Sequence, residues 1–278
     1  MQKVTHSEYI AQKKPLAKQL LAKLNEKYQY ASVLITDNYE KGYRASRSGV
    51  AISATNAFGG KGMIVKVYDG KGYAEYSTNE ITAENLPEIE REIEQQLMNP
   101  ANFIPEGTEE AEYKCISDEP CTLCEATDYE IHPREVGDEK LIETVTALRE
   151  KAVKADERIL DAITGFNYQE YHKLFLSANR ELEQSVLYST GIMALVAAKG
   201  EEIKQSFRGF SNLGGAELLD KMESAIPQCV KTVTDLLNAE PMEPGTYECI
   251  CTPEVTGMIV HEAFGHGVEV DMFVKERG

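Results

Sequence analysis

The sequence predicts an α+β fold, with antiparallel sheets and packed helices in two related units followed by the start of a further, C-terminal domain. Three observations carry this reading. Apolar stripes at helical spacing alternate along the chain with runs of strand-like segments. Short glycine-containing turns of the hairpin kind join those segments, which favours antiparallel pairing. The order of helix and then meander occurs twice, on either side of a proline-containing connector.

The elements follow in order. Leu16, Leu20 and Leu24 step by four just after Pro15, which places Pro15 early in a helix. Val33, Leu34 and Ile35 form a short apolar strand, and Val50, Ile52 and Ala54 alternate with small or polar residues. Residues 63–68 are rich in β-branched side chains, and Asp69-Gly70 supplies a turn into residues 73–76. Leu86, Ile89, Ile93 and Leu97 make a helical stripe that ends near Asn99-Pro100. From about residue 100 to 137 there is no clear period, and Pro100, Pro105, Pro120 and Pro133 mark a connector. A long helix is expected through Leu141, Val145, Leu148, Ala152, Ala155 and Ile159, then strands at 168–178, 185–197 and 202–210. Ala198-Lys199-Gly200-Glu201 reads as the hairpin between the last two. Met222, Ile226, Val230, Val233 and Leu237 form another helix, and Pro241 with Pro244-Gly245 marks a boundary. The expected domains are therefore 1–105, 106–240 and an incomplete 241–278.

The chain has 278 residues, with 46 acidic against 29 basic side chains and a formal net charge of −17. Such a surface repels phosphate backbones and anionic lipids, so neither nucleic acid nor a membrane is expected as a partner. The first 27 residues mix charges with short apolar steps, unlike a signal peptide, and no stretch has the length of a membrane span. A cytoplasmic location is expected, with the six cysteines as thiols or metal ligands instead of disulfides.

The last segment carries the chemistry. Tyr247-Glu248-Cys249-Ile250-Cys251 alternates like a strand, and Thr252-Pro253-Glu254 reads as a helix start with Thr252 as N-cap. The helix runs into His261-Glu262-Ala-Phe-Gly-His266. A His-Glu pair followed by a second His lets one helix offer a zinc ion two imidazoles, with a neighbouring carboxylate that takes the proton from the attacking water. The usual separation of the two histidines is four, and here it is five. On a regular α-helix five residues turn the side chains apart by about 140°. One wide π-type turn brings them back to within about 50°. A π-bulge or helix break is therefore expected at Gly265, with Gly265 and Gly267 easing the distortion.

The run His261-Glu262-Ala-Phe-Gly-His266-Gly267-Val268-Glu269-Val270-Asp271 resembles the signature of the TldD/PmbA family of metallopeptidases. The upstream meander and the region around Gly209 and Gly214-Gly215 also fit that family's order of elements. The resemblance implies that His261 and His266 bind Zn2+ and that Glu262 is the catalytic base, as in the TldD-like catalytic branch. It further implies a peptide or unfolded-protein substrate and a dimer with a TldD/PmbA-type subunit, identical or different. The family's third zinc ligand is a cysteine of the C-terminal domain. The chain is accordingly expected to be C-terminally truncated, about the first 60% of a family member, and inactive alone. Glu269, Asp271, Cys249 and Cys251 are the substitute ligands within reach of the motif in sequence.

Two other readings stand beside this one. A non-catalytic subunit or regulatory module would pair with a full-length relative and use no site of its own. A small metal or redox protein would use Cys115, Cys121, Cys124 and His132, although a lone CxxC is a weak signal. The Gly59-Gly60-Lys61-Gly62 run lacks the terminal Lys-Ser/Thr arrangement of a phosphate loop and is expected to be a hairpin turn. His6 and His172 have no partner at ligand spacing and receive no role.

Overall fold

The computed structural model describes residues 1–54, 60–98 and 114–274, with backbone only for 273 and 274. Gly59, Asn99, Pro100, Pro105 and residues 275–278 lie outside the described residues, as does the start of the expected connector. The chain divides into two compact units, residues 1–238 and 239–278.

The first unit is an α+β structure built on a mostly antiparallel sheet, the predicted class. Its long strands are β2 (Tyr30–Ser46), β8 (Ile159–Ser177), β9 (Arg180–Lys199) and β10 (Glu202–Leu213). The order β10-β9-β8-β2-β4-β5 is completed by β4 (Lys61–Tyr68) and β5 (Tyr73–Thr78). β3 (Gly49–Ala54) pairs with the far end of β2, and β6 (Cys121–Ala126) pairs parallel with the start of β9. A separate two-stranded ribbon joins β1 (Gln2–Lys3) to β7 (Asp128–Tyr129). The expected units 1–105 and 106–240 share the large sheet through the β2–β8 pairing, Ser32↔Ser177 to Ala45↔Thr164.

Four helices pack on the sheet and supply its cores. These are α1 (Glu8–Lys27), α2 (Leu86–Met98), α4 (Asp138–Lys154) and α5 (Leu218–Leu236). Side chains alternate between the faces of a strand. Val33, Ile35, Tyr43 and Ala45 therefore share one face of β2, and Phe166, Tyr168, Leu174 and Leu176 share one face of β8; all are buried. The buried residues fall into two clusters along that face. One joins α1 and α2 to Val33, Ile35, Val65 and Leu174; the other joins α4 and α5 to Tyr43, Phe166, Leu187 and Leu195. Removing such apolar side chains from water stabilises the fold by about 1.5–3 kcal/mol each. Between the clusters the same face turns polar, with Asp37↔His172↔Ser185 and Tyr39↔Glu170 in register.

Several local expectations need correction. Pro15 lies inside α1, on an exposed face, because the helix starts a full two turns earlier at Ser7, whose side chain accepts from the Ile10 N–H at 3.1 Å. The helix through Leu141 stops at Lys154, and Ile159 opens β8. The Asp156 side chain accepts from the Arg158 N–H, and the Asp156 carbonyl from the Ile159 N–H, which turns the chain there. Strands β8, β9 and β10 are longer than expected: the residues added to β9 and β10 are mostly polar, whereas the stretch 159–167 added to β8 carries the buried Ile159, Ala162 and Phe166. The expected connector contributes β6, an edge strand with exposed side chains and hence no apolar signature. Val50 and Ile52 form a strand as expected, but every residue of β3 is exposed.

Candidate metal centre

The second unit begins without regular structure, and residues 239–252 contain no strand. The expected strand at 247–251 is absent because a strand exists by pairing its backbone. The described part of residues 239–274 offers no other extended segment to pair with. Cys249 and Cys251 are exposed thiols there.

Helix α6 (Pro253–Val260) starts where the Thr-Pro-Glu signal places it. Thr252 is extended, Pro253 needs no N–H partner, and Glu254 lies at the positive end of the helix dipole. The Thr252 hydroxyl makes no capping hydrogen bond; its carbonyl accepts from Thr256 at 2.9 Å.

From His261 to Gly265 the helix widens into a π turn, closed by the His266 N–H donating to the His261 carbonyl. A short 3₁₀ turn (His266–Val268) and α7 (Val270–Val274) follow. The wide turn brings the two imidazoles onto one side, their ring centroids 4.6 Å apart and nearly perpendicular. One ligand atom from each of His261, Glu262 and His266 lies within 4.8 Å of the others. Among the described residues this is the one set of His, Cys, Asp or Glu side chains whose donor atoms converge in this way. Glycine at 265 is not what permits the distortion. Gly265 has ordinary helical angles (φ −56°, ψ −51°), and an added Cβ would meet only the Val260 carbonyl, at 3.8 Å. The wide turn does not require glycine.

His266 is oriented by a carboxylate. Its Nδ1 lies 2.7 Å from Glu269 Oε1, and its Nε2 lies 3.9 Å from Glu262 Oε2. The hydrogen bond to Glu269, helped by the charges of Glu269 and Glu262, raises the His266 pKa. This gives Glu269 a part the sequence did not assign. Carboxylates that hold the second nitrogen of a metal-binding histidine set its tautomer and direct the other nitrogen outward. All three converging side chains are exposed. Two imidazoles and a carboxylate are the donor types zinc takes, so the set fits that ion chemically.

The cysteines of the first unit do not assemble. Cys121 and Cys124 lie three apart on β6, so their side chains leave on opposite faces. His132 caps the short helix α3 (Pro133–Val136), its Nδ1 accepting from the Arg134 N–H at 3.3 Å. By contrast, His6 and His172, which the sequence left without a role, gather with His132 around Ser185 and Glu170. The available signal was phase: positions 37, 170, 172 and 185 fall on the buried side of their strands yet are polar.

No family model matches the chain. A metalloprotease of Archaeoglobus fulgidus is 32% identical over 95 residues, covering 34% of this chain and 22% of that protein. A metalloprotease of Methanocaldococcus jannaschii is 20% identical over 258 residues, covering 92% of this chain and 55% of that one. Among solved structures, a candidate modulator of DNA gyrase from Bacteroides thetaiotaomicron superposes with a TM-score of 0.67 at 15% identity, over 91% of this chain and 56% of its own. TldE from Thermococcus kodakarensis superposes with a TM-score of 0.56 at 14% identity, over 79% of this chain and 47% of its own. The chain thus spans about half the length of the relatives it matches along most of its own length. The fold and the sequence relatives define a protein related to archaeal metalloproteases. Its fold is that of the TldD/PmbA family, to which TldE belongs.

Proposed function

We propose that this chain supplies the metal-binding helix and the catalytic carboxylate of a TldD-type zinc metallopeptidase acting on peptides or unstructured protein segments. The observation that carries the reading is the convergence of His261, Glu262 and His266 across a π turn. His261 and His266 would hold the ion, and a zinc ion there would supply Lewis acidity toward the scissile carbonyl and toward water. Glu262 takes the proton of the attacking water and returns it to the leaving amine. Glu269 holds the His266 ring in place through Nδ1.

A catalytic zinc takes three protein ligands. In the family that the motif resembles, the third is a cysteine of the C-terminal domain, and Glu269 is already engaged with His266. We infer that the chain works together with such a domain, in the cytoplasm and in a dimer with a TldD/PmbA-type subunit. The test is peptide hydrolysis by this chain combined with a separately produced C-terminal domain of a longer relative. Activity is expected with wild type. With Glu262→Gln it should fall at least about 100-fold, the typical contribution of a general base, while bound zinc is retained. Hydrolysis that survives Glu262→Gln would refute the assignment.

The second reading, a non-catalytic partner of a full-length relative, draws on the fold shared with TldE. It predicts stable association with a longer relative and no hydrolysis assignable to Glu262. Zinc lost in Cys121→Ala but kept in His261→Ala would instead favour the cysteines of the first unit.

A further inference from the structure

The polar seam between the two cores encloses a cavity of about 520 Å³ in the first unit, independent of the metal centre. Its size is that of a small-molecule site. Its charges are layered. The floor is made by Asp37, Glu170 and His172, whose side chains are 19%, 11% and 10% exposed. The rim is made by Lys61 and Arg134, whose side chains are 50% and 53% exposed. Anionic groups thus lie deep, and cationic groups lie at the mouth.

The floor is held in place from behind. Ser7, which caps α1, donates to Asp37 Oδ2 at 2.6 Å. Ser185 Oγ lies 2.9 Å from His172 Nδ1 and 2.9 Å from His6 Nδ1, which fixes the His172 ring with Nε2 3.9 Å from Glu170 Oε2. Burial pushes the Glu170 carboxyl up, but His172 and the charges of Arg134 and His132 outweigh it and hold the group below the usual carboxylate range. Arg134 Nε is ion-paired with Glu170 Oε1 at 2.5 Å, but its N–H is not aligned, so this buried oxygen accepts no well-formed hydrogen bond. Arg134 also lays its guanidinium over the Tyr39 ring at 4.3 Å, which sets this orientation. A buried carboxylate oxygen without a donor is unfavourable, and a ligand that donates to it removes the penalty.

We propose that this cavity binds a small zwitterion, a free α-amino acid, with its ammonium on Glu170 and Asp37 and its carboxylate toward Lys61 and Arg134. The ammonium supplies the donors that Glu170 Oε1 lacks. The carboxylate meets the two cations at the rim, where water still reaches them. A bare anion would face the carboxylates of Asp37 and Glu170, and a ligand without an ammonium would offer neither of them a further donor.

Calorimetric or NMR titration of the whole chain with L-alanine, L-alaninamide and N-acetyl-L-alanine separates the two ends of the ligand. L-Alanine is expected to bind with a dissociation constant of about 1 mM or tighter. L-Alaninamide, which keeps the ammonium alone, should bind more weakly, and N-acetyl-L-alanine should give no saturable signal. Glu170→Gln should weaken L-alanine at least about tenfold. Lys61→Ala, on the exposed rim, should shrink the difference between L-alanine and its amide while leaving thermal unfolding unchanged. Three outcomes would overturn the proposal: no saturable binding of L-alanine, equal binding of the N-acetyl compound, or undiminished binding in a folded Glu170→Gln protein.

Discussion

At the scale of single residues, Asp156 shows how one carboxylate settles where a helix gives way to a strand. Arg158 donates its backbone N–H and two guanidinium N–H groups to it, at 2.7–3.0 Å. The side-chain bonds from Arg158, then its backbone N–H, hold the Asp156 pKa down from an ordinary 3.8 to about 2. A carboxylate depressed in the folded state adds stability that is fully present above its unfolded pKa and is lost as pH falls through the folded value. Thermal stability should therefore decline between pH 4 and 2, and Asp156→Asn should flatten part of that decline in melts across the same range. An unchanged acid limb would show the turn to be irrelevant to stability. The same scale explains a failure of reading. The sequence marked His261, Glu262 and His266 through their spacing, but Glu269 acquires its part only when the 3₁₀ turn swings it to His266 Nδ1.

At the scale of elements, apolar period located every helix that covers the large sheet and most of the strands, because burial on one face imposes that period. It misplaced ends wherever burial does not decide them. Pro15 looked like a helix start, yet an exposed proline in α1 is outvoted by Ile10, Ala17, Leu20 and Leu24 beneath it. Ile159 continued the stripe of α4 by coincidence of phase, since it is buried in the first position of a strand instead. The π turn was legible for a stereochemical reason: two side chains five apart on one regular helix diverge by about 140°, and a wide turn is needed to bring them to one side. Its attribution to glycine was not, because the backbone at Gly265 is helical and the space beside it is open. Gly265→Ala should accordingly leave zinc affinity within about threefold of wild type and change stability by no more than about 1 kcal/mol. A severe loss of metal binding in that variant would mean that the turn needs a conformation that only glycine reaches.

At the scale of the whole molecule, the two units are built on different terms. In residues 1–238 the helices bury their apolar stripes on the sheet. In the described residues from 239 to 272 no side chain is buried, and Met258, Ile259, Val260 and Phe264 are more than half exposed. Exposed helices with few buried contacts open locally at low free energy. Amide hydrogens of residues 255–268 should therefore exchange much faster than those of residues 141–154 in α4, and equal protection would show that the terminal helix is stabilised by packing. The pairing of β2 with β8, which makes one sheet of both halves of the first unit, was not legible from either strand alone. Strand partners far apart in sequence leave no periodic trace, and the polar seam and its cavity exist only through that pairing.

The claim on which the functional account depends is that His261 and His266 act on one ion. Zinc titration of the whole chain against His261→Ala and His266→Ala addresses it directly. One equivalent of Zn2+ bound by wild type, with affinity reduced at least about tenfold in each variant, is the expected result. Equal zinc affinity in all three proteins would contradict the account.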